Sequence, residues 1–242
     1  TKNKETTMTI RVVLADDHRM VLEGLRALLG TEPDLDIVGQ AADGLGAVRL
    51  ARELAPDVVV MDVSMPGLNG IEAVRRIRAE VPGVRVLCLS VHDDSRMVMA
   101  VLDAGASGYV LKEGSFHELA QAIRKVVDNR VHLSEALVGM VVDEVRLRGS
   151  GKPATRTAHL TPREREMVQL LSEGHSTQQI AERLHVSVKT VATHREHILH
   201  KLQIQGIAEL TRYALREGLS SLETPRRPEA LARPRAPRAA SA

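Results

Sequence analysis

Between residues 10 and 128 five short β-rich runs alternate with five stretches whose apolar residues recur at helical spacing. The runs lie at 10–15, 35–41, 58–61, 84–89 and 107–111, and the helical stretches at about 20–29, 44–54, 70–81, 95–104 and 116–127. Strict strand–helix alternation at this spacing leaves few topologies. Each helix must cross back over the sheet, so successive strands run parallel and both faces are covered. The expected fold is an α/β doubly wound, five-stranded parallel sheet. In such a sheet ligands sit beyond the carboxyl ends of the strands, where the strand order reverses. Strand ends are therefore where function should be sought.

Those ends are acidic. Asp16 and Asp17 follow the first strand and Asp62 follows the third. Ser90 ends the fourth, and Lys112 follows the fifth. Three carboxylates within a few ångströms repel one another, and a divalent cation is a natural means of keeping them ionised. An oxygen donor set favours Mg²⁺ over zinc. A carboxylate beside such a cation and an ammonium group is placed to attack a phosphoryl donor, because both cations neutralise the oxygens in transfer. His18, next to the pair, reads as a helix-start residue rather than a phosphate carrier.

The remainder of the chain has a different character. A helix is expected at about 134–147, and residues 148–157 have linker composition. The pattern from 160 to 219 is wholly helical, in four short segments. Thr161, Pro162 and Glu164 form a helix start with a capping box. Gly174 stops that helix. Ser176 caps the next over 178–184, and His185-Val186 make a short turn before Ser187 caps a third that runs towards Leu202. Two helices joined so tightly form a helix-turn-helix, whose second member enters the major groove of DNA. On that helix Val188, Val191, Ile198, Leu199 and Leu202 supply an apolar stripe, and Lys189, Thr190, Thr193, His194, Arg195, His197 and Lys201 a polar, partly basic face.

Charge follows the same division. Residues 1–150 carry 18 Lys and Arg against 22 Asp and Glu, whereas residues 151–242 carry 15 against 9 and six of the ten histidines. An acidic part joined to a basic part suits a regulatory unit tied to a polyanion-binding unit. With one Phe, two Tyr and no Trp, the chain lacks the aromatic platforms of single-strand and RNA binders. The only cysteine, Cys88, lies in an apolar run and reads as a small core residue, compatible with a reducing cytoplasm. No stretch has the ~20 apolar residues of a membrane span, and no signal-peptide apolar region is evident, so a cytoplasmic protein is expected. The expected organisation is a disordered lead-in at 1–8, an α/β domain at 9–130, a connecting helix and linker at 131–158, a helical domain at 159–220, and a disordered Pro/Arg/Ala-rich tail at 221–242.

Three segments now carry a specific resemblance. Leu14-Ala15-Asp16-Asp17-His18, Met61-Asp62-Val63-Ser64-Met65-Pro66-Gly67-Leu68-Asn69-Gly70 and Gly105-Ala106-Ser107-Gly108-Tyr109-Val110-Leu111-Lys112 resemble the signature segments of receiver domains. Leu160 to Glu164, Gly174, Ile180-Ala181, Leu184, Ser187, Lys189-Thr190-Val191, His194 and Lys201-Leu202 resemble the DNA-binding domain of LuxR-type regulators. Together, over about 210 residues, the chain resembles the NarL/FixJ family of two-component response regulators. The resemblance implies a flavodoxin-like receiver with Asp62 as phosphoacceptor for a partner histidine kinase. It also implies Mg²⁺ held by Asp17 directly, by Asp16 mainly through water, by Asp62, and by the Ser64 carbonyl. Ser90 would bond the phosphoryl group, Lys112 would pair with it, and Tyr109 would be the aromatic switch. On DNA, Lys189, Thr190 and Lys201 would touch phosphates, Ala192, Thr193 and Glu196 would face base edges, and His194 and Arg195 could do either. Ile207, Leu210, Tyr213 and Ala214, on a fourth helix expected at 207–219, would join two copies of the phosphorylated protein.

Two residues depart from the family pattern: Gln179 replaces a usual Glu, and Gln203 stands where a helix-ending Gly is common. A metal-dependent hydrolase would share the acidic pocket but lacks an added general acid and leaves the DNA module unexplained. A ligand-gated LuxR-type regulator would need an aromatic-lined pocket, for which this composition has no material. A DNA-binding regulator that works without phosphorylation is the alternative that stays open at this point.

Overall fold

The computed structural model describes residues 9–149 and 160–220. The lead-in, the linker beyond residue 149 and the tail from 221 fall outside the described residues. In the first domain β1 (Ile10–Ala15), β2 (Leu35–Ala41), β3 (Val58–Asp62), β4 (Arg85–Ser90) and β5 (Gly108–Leu111) alternate with α1 (Arg19–Leu29), α2 (Gly44–Leu54), α3 (Gly70–Glu80), α4 (Ser95–Asp103) and α5 (Phe116–Val127). The strand order is β2-β1-β3-β4-β5, with β6 (His132–Leu133) beside β5, every neighbouring pair parallel. The order reverses between β1 and β3, so their carboxyl ends open the crevice expected of this architecture.

The strands read as continuous apolar runs because both faces are covered. Val13, Ala15, Val59 and Met61 pack on one side, with α2, α3 and α4. Val12, Leu14, Val58 and Val60 pack on the other, with α1 and α5. A sixth strand, β6 (His132–Leu133), extends the expected five. Two residues are too few to show a period, and this strand exists because Gly108 lets it approach. A Cβ on Gly108 would lie 2.7 Å from the His132 carbonyl oxygen. After it α6 (Glu135–Gly149) leads out of the domain.

The second domain holds α7 (Pro162–Ser172), α8 (Thr177–Leu184), α9 (Val188–Leu202) and α10 (Ile207–Arg216) around a separate core that includes Leu160, Met167, Leu171, Ile180, Val191, Ile198 and Leu210. The capping box expected at Thr161 and Glu164 is present, and Ser176 forms another with Gln179. The residue that departs from the usual Glu therefore still closes its helix, by accepting from the Ser176 N–H at 2.9 Å.

Two helix ends carry information. The sequence pattern carries the fourth helix to 219, but the helix α10 stops at Arg216, because Gly218 adopts φ +66 and turns the chain. There the glycine lies against the first domain, where a Cβ would meet the Met97 sulfur at 2.7 Å. Gln203 also takes the left-handed conformation, at φ 56, and closes α9 with the Ile204 N–H donating to the Leu199 carbonyl at 2.9 Å. The helix thus ends as a glycine would end it, with a side chain in a region that disfavours one. Gln203→Gly should stabilise the helical domain by about 0.5–1 kcal/mol, read as a higher denaturation midpoint. A lower midpoint would show that the Gln203 side chain contributes more than the strain removes.

Candidate functional site: the acidic pocket and the recognition helix

Asp16 and Asp62 are buried at the carboxyl edge of the sheet, and Asp17 is less so. Lys112 reaches in from the end of β5, its Nζ 2.8 Å from Asp16 Oδ2 and 2.9 Å from Asp62 Oδ1. The Ser64 N–H donates to the second oxygen of Asp62 at 3.2 Å. This geometry needs the loop after β3 to fold back closely. Gly70 permits it, since a Cβ there would lie 2.5 Å from the Asp62 carbonyl oxygen. The loop closes through the Gly70 N–H, which donates to Val63 O at 2.9 Å, and Asn69 caps α3 by accepting from the Glu72 N–H.

Three carboxylates share one ammonium, and protonation equilibria register the imbalance. Burial holds Asp62 above the ordinary carboxylate range; Lys112 opposes this, while Asp16 and Asp17 reinforce it. Burial also raises Asp17, with His18 opposing and Asp16 reinforcing the effect. For Lys112, burial acts downward, but Asp62 and Asp16 outweigh it and leave the ammonium above its usual value. Asp17 Oδ1 is buried, with the His18 imidazole 3.0 Å away and no further partner among the described residues. Asp16, Asp17 and His18 each offer a ligand atom within 4.8 Å of the others. A buried carboxylate oxygen within a net-negative cluster fits a divalent cation. His18 belongs to this cluster more closely than its place in the sequence suggested, with Nδ1 3.0 Å from Asp17 and 3.2 Å from Asp16.

Ser90 and Tyr109 meet through one backbone. Ser90 Oγ accepts from the His92 N–H at 3.0 Å, and the Tyr109 hydroxyl donates to the His92 carbonyl at 2.7 Å. Both side chains are fully buried, so the start of the β4–α4 loop is tied to each.

In the helical domain α8 and α9 form the helix-turn-helix, with His185 in the left-handed conformation at the turn. Val191 and Ile198 face the core, while Lys189, Ala192, Thr193, Glu196 and Lys201 are exposed and Thr190, His194 and Arg195 partly so. The polar face is thus open to solvent even with the domains in contact. Lys189 forms no ion pair among the described residues, whereas Lys201 is already paired with Glu164 of the capping box at 2.8 Å. The residues implied as a dimer contact divide: Leu210, Tyr213 and Ala214 are buried in their own domain's core, and only Ile207 is exposed. Helical spacing could not distinguish a core face from a partner face on this short helix.

This combination defines a receiver joined to a DNA-binding helix-turn-helix, and the comparisons agree. Residues 12–124 match the response regulator receiver domain, and residues 158–214 match the bacterial regulatory proteins of the luxR family. The chain is 41% identical over 210 residues to the transcriptional regulatory protein LiaR of Bacillus subtilis, covering 87% of this chain and 99% of that protein. It is similar to RcsB from Salmonella enterica serovar Typhimurium bound to a promoter in the presence of a phosphomimetic, with TM-score 0.56, 25% identity, and 85% and 98% of the two chains covered. A structure of two RcsB dimers bound to two parallel DNAs matches with TM-score 0.53 and 25% identity, covering 86% of this chain and 98% of that one. The chain belongs to the NarL/FixJ family of two-component response regulators and is a DNA-binding transcription regulator. No helix among the described residues is long and apolar enough to cross a membrane.

Three outcomes follow from the electrostatics. Asp62 and Asp17 are raised, so between their unfolded and folded values the folded state binds more protons, and stability falls as pH rises through that window. In chelator, Asp62→Asn should therefore melt higher than wild type near neutral pH, and the gap should narrow as pH falls towards about 4. A gap independent of pH would contradict the strained pocket. Lys189→Ala should reduce the salt slope of DNA binding by about one phosphate contact. Lys201→Ala should also lower thermal stability, by about 0.5–1 kcal/mol, through loss of Glu164; unchanged melting would make Lys201 a phosphate contact alone.

Proposed function

We propose that this regulator is switched by phosphorylation of Asp62 from a partner sensor histidine kinase, and that the phosphorylated form binds paired half-sites in double-stranded DNA as a homodimer. The observation that carries the reading is the Lys112 ammonium seated between Asp16 and Asp62 at the crevice of a sheet whose chain continues into an open recognition helix. An Asp62 oxygen forms a bond to phosphorus as the bond from phosphorus to the kinase imidazole breaks, and the departing nitrogen keeps the electron pair and takes up a proton. Asp17, Asp62 and the Ser64 carbonyl, with Asp16 mainly through water, would hold Mg²⁺, which would supply neutralisation of the transferring oxygens. Lys112, held between Asp16 and Asp62, neutralises the same oxygens, and Ser90 bonds the phosphoryl group once it arrives. The receiver also catalyses its own phosphotransfer and dephosphorylation, and the protein acts in the cytoplasm.

The domains proposed are a receiver at 9–130, a connecting helix and linker at 131–158 and a DNA-binding domain at 159–220, flanked by a lead-in at 1–8 and a tail at 221–242. Within the last helix the exposed Ile207 is the part of the implied contact free to meet a second copy. One recognition helix reads too few base pairs for a genome, and two related by a two-fold axis would sit about 34 Å apart. Lys189, Thr190 and Lys201 would position the helix on phosphates. Ala192, Thr193 and Glu196 would read bases, with His194 and Arg195 serving either purpose.

With a small acyl phosphate and Mg²⁺, the wild type should gain one phosphoryl group, sediment as a dimer on its operator and bind more tightly. Asp62→Asn should do none of these. An Asp62→Asn protein that labels fully would refute the assignment, and operator binding indifferent to phosphorylation would support the phosphorylation-independent alternative.

A further inference from the structure

The loop that carries the phosphoacceptor is not completed by the receiver alone. Two of its buried backbone groups, the Met65 carbonyl and the Asn69 N–H, find their hydrogen-bond partners in the other domain. Gln169, on α7 and 2% exposed, places its amide between them. Gln169 Nε2 donates to Met65 O at 3.2 Å, and Gln169 Oε1 accepts from the Asn69 N–H at 3.0 Å. The second Nε2 hydrogen is given to Glu173 Oε1 at 2.7 Å, and that oxygen also accepts from the Gly67 N–H at 3.3 Å. Asn69 Nδ2 donates to the Leu219 carbonyl, just past α10, at 3.2 Å.

Around this contact, ion pairs hold the domains together. Buried Glu72 on α3 accepts from Arg165 of α7 at 2.9 Å, and Arg76 pairs with Glu166 at 3.3 Å. An unpaired buried backbone group costs about 1–3 kcal/mol, so the loop cannot keep this conformation in a dry interface without the Gln169 amide. Met65 lies three residues from Asp62 and follows Ser64, whose N–H holds Asp62 Oδ2. The clamp therefore acts on the backbone that orients the attacking carboxylate.

We propose that Gln169 of the DNA-binding domain is a positioning residue for phosphotransfer at Asp62: it fixes the Met65–Asn69 backbone in the geometry in which that carboxylate reacts. The proposal rests on Asp62 being the phosphoacceptor. In the reaction with an acyl phosphate, an Asp62 oxygen bonds to phosphorus and the bond to the acyl oxygen breaks, so a carboxylate leaves with the electron pair. Gln169 touches none of these atoms. Loss of its clamp should lower the maximal rate and leave half-saturation by the donor unchanged, because the loop positions the nucleophile and does not bind the donor's acyl part.

Gln169→Met keeps length and packing but removes every hydrogen bond of the amide. Gln169→Glu can still accept from Asn69, cannot donate to Met65, and places a second carboxylate beside Glu173. Arg76→Ala opens an ion pair of the same interface without touching the loop. Full-length proteins are labelled with acetyl phosphate and Mg²⁺ across a donor series, and Mg²⁺ alone is titrated calorimetrically. Gln169→Met and Gln169→Glu should be about tenfold slower at saturating donor, with weaker Mg²⁺ binding, while Arg76→Ala stays close to wild type. Gln169 variants that label at the wild-type rate or faster, or an Arg76→Ala protein slowed equally, would overturn the proposal and leave Asp62 as phosphoacceptor. A wild type that labels at another residue would instead refute the Asp62 reading, and the positioning role with it.

Discussion

One ammonium set between two buried carboxylates organises this molecule. Lys112 lies within 3 Å of both Asp16 and Asp62, which are almost without solvent contact. Burying like charges this closely is unfavourable, and the raised protonation range of Asp62 and Asp17 records that cost. The parallel sheet makes it possible: strands that alternate with covering helices must end on one edge, so groups distant in sequence converge whether or not they attract. Apolar packing on both faces of the sheet supplies the stability against which the pocket's repulsion is set. A cation, or a transferred phosphoryl group paired with Lys112, then changes an interaction that the fold holds in tension.

Much of this was legible in the chain. The strands and their crossing helices follow from period and length, and a carboxyl-edge pocket follows from their alternation. Asp16, Asp62, Ser90 and Lys112 could be placed because each stands at a strand end, where topology fixes position. The caps at Thr161, Ser176 and Ser187 could be read because capping is local chemistry. The features that the chain does not show by itself are non-local or degenerate. The strand β6 depends on a glycine in another strand. The end of α10 depends on Gly218 meeting Met97 in the other domain. Leu210, Tyr213 and Ala214 share one helical stripe, and a stripe does not say whether its cover is the domain's own core or a second copy. Gln169 and Asn69 look like ordinary polar surface residues until the domains are brought together.

That juxtaposition changes how the two halves relate. A short polar linker suggests independent units, yet α7 and the segment after α10 lie on the phosphoacceptor loop, on α3 and on α4. The polar face of α9 stays exposed in this arrangement, so contact between the domains does not hide the surface that would read DNA. Communication between the halves has a direct path in the loop backbone, through a few hydrogen bonds rather than through occlusion. Because coupling between sites is reciprocal, whatever the phosphoryl group does to this loop is felt by α7, and whatever moves α7 is felt at Asp62.

The most direct measurement is hydrogen–deuterium exchange on the full-length protein before and after phosphorylation, followed at residues 62–70 of the receiver and at 165–173, α7 and its C-cap. The account predicts that exchange changes in both segments together, because the Asn69 amide donates to Gln169 of that helix and the Gly67 amide to Glu173 at its C-cap. A change confined to residues 62–70, with α7 unaltered, would contradict it.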